Sequence, residues 1–159
     1  MKAILMSVHA KWCAKIMNGD KTIEVRKSKP NVDLPIDVYI YCTKSNYLGF
    51  ISNRYIGKVV AKFTLNKVEE IDKYQSMNPL YTLPACLTAN EWCDYLGEKV
   101  GYAWHISNLE IFDKPKELSE FYQYKFIEDT NITHKEQHFR PYLKLTKAPQ
   151  SFCYIEAGE

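Results

Sequence analysis

Gly19-Asp20-Lys21-Thr22-Ile23-Glu24-Val25-Arg26 joins a helix stop to a charged extended segment. Ahead of it, Ala10, Cys13, Ala14 and Met17 recur at i, i+3, i+4 and i+7, which predicts a helix with one buried face. Asn18-Gly19 ends that helix, because glycine accepts the left-handed cap conformation. From Lys21 to Lys27 the period changes to two: Ile23 and Val25 share one face, and Thr22, Glu24 and Arg26 share the other. Such alternation predicts a half-buried strand. Its polar face carries a carboxylate beside a cation, with Lys21 at the strand's start. Arg26 offers a rigid donor fork suited to phosphate, and Glu24 can accept from an amino or hydroxyl group. The plainer reading of the same face is a solvated surface with ordinary ion pairs.

Outward from this segment, Ala3 to Val8 (AILMSV) reads as a buried strand, Ser28 to Pro35 as a loop, and Asp37 to Cys42 as a strand. Gly57 to Val68 is a longer strand with Val59, Ala61, Phe63 and Leu65 on one face. Glu69 to Ala89 contains Pro79 and Pro84 and is expected to be mostly irregular. Thr88 to Leu96 reads as a short helix, capped by Thr88 with Glu91 three residues on and closed by Gly97. Gly101 to Phe112 is a strand, Pro115 to Phe121 one helical turn, Asn131 to Lys147 a loop with basic and aromatic residues, and Ser151 to Ile155 a closing strand. Strands outnumber helices and do not alternate with them. That predicts an α+β, mainly β class: a small β-barrel with flanking helices.

The chain has 159 residues, 46% hydrophobic and 25% charged, which suits one globular domain without disulfides or metal. No apolar run is long enough for a bilayer span, and the Ala3–Met6 run is too short for a signal-peptide core. Cys13, Cys42, Cys86, Cys93 and Cys153 are odd in number, scattered and without a C-x-x-C pair. Free thiols in a reducing, cytoplasmic setting are therefore expected. The formal net charge is only +2, yet residues 1–50 hold eight basic and four acidic groups, so the cationic excess lies around the charged segment. The twelve tyrosines are the largest aromatic group.

The eight residues 19–26 match the G-x-K-x-x-E-x-R signature of the ASCH domain family, at Gly19, Lys21, Glu24 and Arg26. The opening AILMSVHAKWCAKIMNG, the VYIYC and GKVVA strands, Phe112-Asp113-Lys114-Pro115 and Pro149 to Tyr154 also resemble that family. The resemblance implies a PUA-like barrel over residues 1–159, with insertions at about 66–98 and 122–147. It further implies a cleft that takes RNA or a single modified nucleotide or nucleoside, with Lys21, Glu24 and Arg26 as cleft groups. Thr22 and Ser151 are added as polar candidates, and Trp12, Tyr41 and Phe152 as aromatics able to stack on a base, with a plain core role the commoner one for any of the three.

Some small members of the family resemble amidohydrolases that deacylate modified cytidine, with a lysine nucleophile, a threonine three residues later and a distant glutamate. Lys21 matches the first. Position 24 is Glu24 rather than threonine, the neighbouring hydroxyl is Thr22, and Glu69 and Glu70 are candidates for the distant acid by position alone. A ribonuclease using Lys21 and Glu24 is the related alternative. No cofactor is implied. His134-x-x-x-His138 has helical metal-ligand spacing without a second pair, so no metal is expected. Lys135, His138, Phe139, Arg140, Tyr142, Lys144 and Lys147 form a basic-aromatic stretch, readable either as nucleic-acid surface or as polar loop.

Overall fold

The computed structural model describes residues 1–44, 49–127 and 138–157, with side chains described outside 125–142. The elements in chain order are β1 (Lys2–Val8), α1 (Ala10–Met17), β2 (Ile23–Arg26), β3 (Ile36–Cys42), β4 (Val59–Ile71), α2 (Pro79–Ala85), α3 (Ala89–Leu96), β5 (Gly101–Lys116), β6 (Tyr122–Ile127), β7 (His138–Lys144) and β8 (Phe152–Glu156). They build one eight-stranded sheet in the order β2-β5-β4-β3-β1-β8-β6-β7. β1 and β3 run parallel, since α1 and β2 intervene between them, and the other pairings are antiparallel.

The central strands are buried on both faces. Along β1, Ile4, Met6 and Val8 enter one core, and Ala3 and Leu5 enter another. Along β3, Val38, Ile40 and Cys42 join the first core, while Tyr39 and Tyr41 join the second with Phe121 and Leu145. This explains the unbroken apolar run at the N-terminus, which a sheet solvated on one face would not need. A third core sets Ile23 and Val25 of β2 against Trp92 and Leu96 of α3 and Ala85 of α2.

The sheet curls strongly. β5 and β8 are four strand spacings apart in the order, roughly 19 Å if the sheet were flat. Yet the rings of Trp104 on β5 and Phe152 on β8 meet with centroids 5.1 Å apart. Register shifts between β4 and β5 and between β3 and β4 supply the bends. The expected barrel is not completed by backbone pairing: β2 and β7 are the two ends of an open sheet. Among the described residues β2 pairs with β5 alone. Just before β2, the Thr22 N–H donates to the carbonyl of Pro84 in α2 at 2.8 Å.

β4 runs on to Ile71 and β5 to Lys116, past the expected strand ends, and two further segments change class. Residues 79–85 are helical, because Pro79 occupies the first helical position, where its missing N–H costs nothing, and Asn78 caps the turn. Residues 138–144, expected within a loop, form β7 and pair with β6. The Thr88–Glu91 capping box and the Gly97 stop of α3 are as expected.

Cys153 lies on β8, and burial pushes its thiol from 9.0 up to about 11. The folded state therefore disfavours the thiolate. Its contribution is fully present below pH 9 and is lost as pH rises from 9 to 11, by up to about 2–3 kcal/mol. Chemical denaturation at pH 8 and pH 10.5 should show a smaller loss for Cys153→Ala than for the unsubstituted chain. Equal losses would show that Cys153 does not contribute.

Candidate functional site

β2 is buried along its whole length, so its polar face is not solvated. Gly19, at φ +86, stops α1 and turns the chain toward β2, which pairs antiparallel with β5 through Glu24 opposite Trp104. Gly101 permits close packing here: a Cβ would stand 2.5 Å from Leu96 Cδ2 and 3.2 Å from the Arg26 carbonyl oxygen.

Lys21, Glu24 and Arg26 converge as one buried chain of charges, with relative exposures of 2%, 7% and 7%. Glu24 Oε2 lies 3.3 Å from Lys21 Nζ, and Glu24 Oε1 lies 3.2 Å from Arg26 Nε. The second contact is an ion pair without hydrogen-bond alignment. Lys21 Nζ also donates to the Ala85 carbonyl at 2.6 Å and sits 5.0 Å from the centre of the Trp12 ring. Arg26 Nη2 donates to the Ser7 carbonyl at 2.5 Å, and Nη1 reaches Ser151 Oγ at 3.5 Å. The Arg26 side chain thus ties the edge strand β2 to β1 and to the start of β8, across the opening of the sheet.

This chain forms the floor of a cleft of about 750 Å³. α1 and its preceding turn contribute His9 and Trp12, and α3 contributes Glu91, Asp94 and Tyr95. Thr43, Lys27, Gln150 and Ser151 complete the rim. Lys11 on α1 pairs with Glu91 on α3 at 3.0 Å, joining the two helices. The Thr88 backbone N–H, followed by Lys11, holds the Glu91 carboxyl below its ordinary range. The Tyr95 phenol is raised, chiefly by burial, with Arg26 opposing and Glu24 reinforcing; Lys27 Nζ lies 4.8 Å from its ring centre.

Of the residues singled out in the sequence, Lys21, Glu24, Arg26, Trp12 and Ser151 come together in this cleft. Thr22 is exposed, because Lys21 and Glu24 turn inward where the strand begins and Thr22 turns out. Tyr41 lies in the second core, on the other side of β3, and Phe152 packs on Trp104. Glu69 pairs with His105 at 2.5 Å and Lys67 at 2.8 Å on the surface of β4 and β5, and Glu70 is exposed, so neither acid reaches the cleft. His134 and Lys135 fall outside the described residues, and His138 begins a strand rather than sitting on a helix. The side chains of Phe139, Arg140 and Tyr142 are likewise outside them, while Lys144 and Lys147 are exposed. Among the described residues no cluster of three or more His, Cys, Asp or Glu side chains could hold a metal. His9, Glu91, Asp94 and Tyr95 were missed by sequence reasoning. The i, i+3, i+4 spacing of the last three was the available signal, since it places them on one face of α3.

Residues 6–116, from β1 through β5, match the ASCH domain. The chain belongs to the ASCH domain family. No curated protein matches it in sequence. The crystal structure of ASCH from Zymomonas mobilis superposes with a TM-score of 0.61 at 20% identity, covering 94% of this chain and 85% of that one. A tyrosine-to-phenylalanine mutant of the Zymomonas mobilis protein gives 0.62 at 20% identity, over 96% and 88%. A serine-to-alanine mutant gives 0.62 at 19%, over 94% and 85%. At these identities the likeness is one of fold. The four fixed signature positions therefore sit, in this ASCH chain, on the α1–β2 turn and on β2, with three of their side chains buried.

Removing Glu24 would strand two buried cations. Glu24→Ala should lower the unfolding free energy by about 3–5 kcal/mol, read by chemical denaturation. A loss under about 1 kcal/mol, the size of an exposed pair, would show that water already compensates Lys21 and Arg26.

Proposed function

We propose that the cleft binds a nucleobase, presented either by an unpaired nucleotide of RNA or by a free modified nucleotide or nucleoside. The domain unit is taken as a single ASCH, PUA-like unit over 1–159, in a cytoplasmic setting. The carrying observation is the buried Lys21–Glu24–Arg26 chain beneath Trp12, in a cleft whose charges cancel. Lys21, Arg26 and Lys27 face Glu24, Glu91 and Asp94 around the same space. A groove that follows a phosphate backbone needs a cationic excess, because its affinity comes from counterion release. Balance of charge favours the base and sugar as the recognised parts.

The phosphate-clamp role first read for Arg26 is weakened accordingly, since its guanidinium is committed to Ser7, Ser151 and Glu24. Glu24 retains acceptor capacity beyond its two cations, which suits an exocyclic amine. Trp12 and Tyr95 bring aromatic rings from two different helices; Lys11 lies 4.3 Å from the Trp12 ring centre and Lys27 4.8 Å from that of Tyr95, so a base stacked on either face would displace a lysine side chain. The cleft's volume falls within the range of small-molecule sites.

A hydrolase on the same cleft is the second reading, favoured by the 3.3 Å approach of Lys21 to Glu24. It would deacylate a modified cytidine or cut RNA, with Lys21 reacting and Glu24 moving a proton. Against it, Lys21 Nζ is turned toward the Ala85 carbonyl, and the acids expected to assist lie elsewhere.

Titration with nucleosides and short single-stranded RNAs, followed by calorimetry, tests the binding reading. Trp12→Ala should weaken binding roughly tenfold, the worth of one stacked base, and log Kd should rise with log salt at a slope of about 1 or less. A steep salt slope with unchanged affinity in Trp12→Ala would reject it. Release of product from acylated cytidine or RNA, lost in a folded Lys21→Arg variant, would move the assignment to the hydrolase.

A further inference from the structure

The face formed by the turn Lys73–Met77 and helix α2 carries the largest group of exposed apolar side chains among the described residues. Tyr74, Met77, Leu80 and Leu83 follow one another at three-residue spacing and are 75%, 80%, 78% and 73% exposed. Tyr74 and Met77 are exposed on the turn, and Leu80 and Leu83 are exposed one turn apart on the adjoining α2. Pro79 between them is also exposed. Their combined apolar area is on the order of 500 Å², at the upper end of what a monomer leaves open. The opposite side of the same segment is anchored: Ser76 and Ala85 are buried, and the Trp92 indole N–H donates to the Asp72 carbonyl at 2.9 Å.

The segment is also electrically silent. From Tyr74 through Asn90 there is no charged residue, in a chain that is 25% charged. Lys73, at the start of the turn, lies 5.7 Å from the Tyr74 ring centre and is paired with Glu98 at 2.6 Å. Among the described residues, a polyanion would therefore find no unpaired cation on this face and a charged protein surface little complement. A surface packing against its own copy brings like against like, which a charged patch resists and a neutral one does not.

We propose that this face is a homodimer interface, in which Tyr74, Met77, Leu80 and Leu83 of two chains pack about a two-fold axis. Two such faces bury roughly 1,000 Å², near the lower bound of specific interfaces, so the dimer is weak and concentration-dependent. The interface adjoins the cleft: α2 ends at Ala85, whose carbonyl holds Lys21. Pairing would therefore brace one wall of the site without contributing a side chain to it. The proposal stands independently of what the cleft binds.

Sedimentation equilibrium on the full chain, from about 1 μM to about 500 μM, is the test. A monomer–dimer equilibrium is expected, with Leu80→Glu and Leu83→Glu each weakening it more than tenfold. Both positions are largely exposed, so these variants should fold. Leu143→Glu, on the other exposed apolar position at the open sheet edge, should leave the dimer unchanged. A chain that stays monomeric across the range overturns the proposal. So does a dimer broken by Leu143→Glu and untouched by the other two, since edge-to-edge strand pairing would then be its basis.

Discussion

One carboxylate holds this architecture in register. Glu24 lies between two cations that the fold removes from water, and each would cost several kcal/mol to bury alone. Its two oxygens take one cation each. What remains of Lys21 is satisfied by the Ala85 carbonyl and the face of Trp12, and what remains of Arg26 by Ser7 and Ser151. These partners come from α2, α1, β1 and the start of β8. The charged chain can be buried only when all of them are in place, and they are held in place partly because it is buried.

The same arrangement accounts for how an open sheet encloses a core. β2 is an edge strand of four residues, unable to reach the far side of the curl by backbone pairing. The Arg26 side chain spans that gap to the Ser7 carbonyl, and the Asn31 N–H donates to the Tyr154 hydroxyl at 2.7 Å just beyond it. Long strands with shifted register bend the sheet far enough for Trp104 to meet Phe152. Closure is thus made by side chains. The space left above them, between α1 and α3, is the cleft. The buried chain itself holds two cations and one carboxylate; the balance of charge around the cleft is reached only with Lys27, Glu91 and Asp94 on its rim.

Much of this was legible beforehand. The 3.6 period of α1, the glycine stop, the capping box of α3 and the alternation of β4 are local patterns, and they hold locally. Where reading failed, the deciding contacts were distant. Pro84 and Pro79 were read as breakers, yet Pro79 begins α2 because the preceding Asn78 can cap it. Tyr41 and Phe152 could be read as stacking platforms, although core was the favoured reading for each. The face of the strand on which each lies, against two different cores, settles the matter. The spacing of Glu91, Asp94 and Tyr95 puts them on one face of α3, but only packing of α3 against β2 brings that face opposite Trp12.

The order of amino acids by itself determined the signature turn, the strand bearing Glu24 and Arg26, and the family to which the chain belongs, because helix stops and two-residue alternation are properties of neighbouring residues. It could not determine whether the polar face of that strand meets water or is enclosed. That depended on Ser7, Ala85 and Ser151, up to 125 residues away from their cationic partners, and on a helix that covers them. Desolvation is a property of everything that surrounds a charge, so only the assembled tertiary structure could decide it.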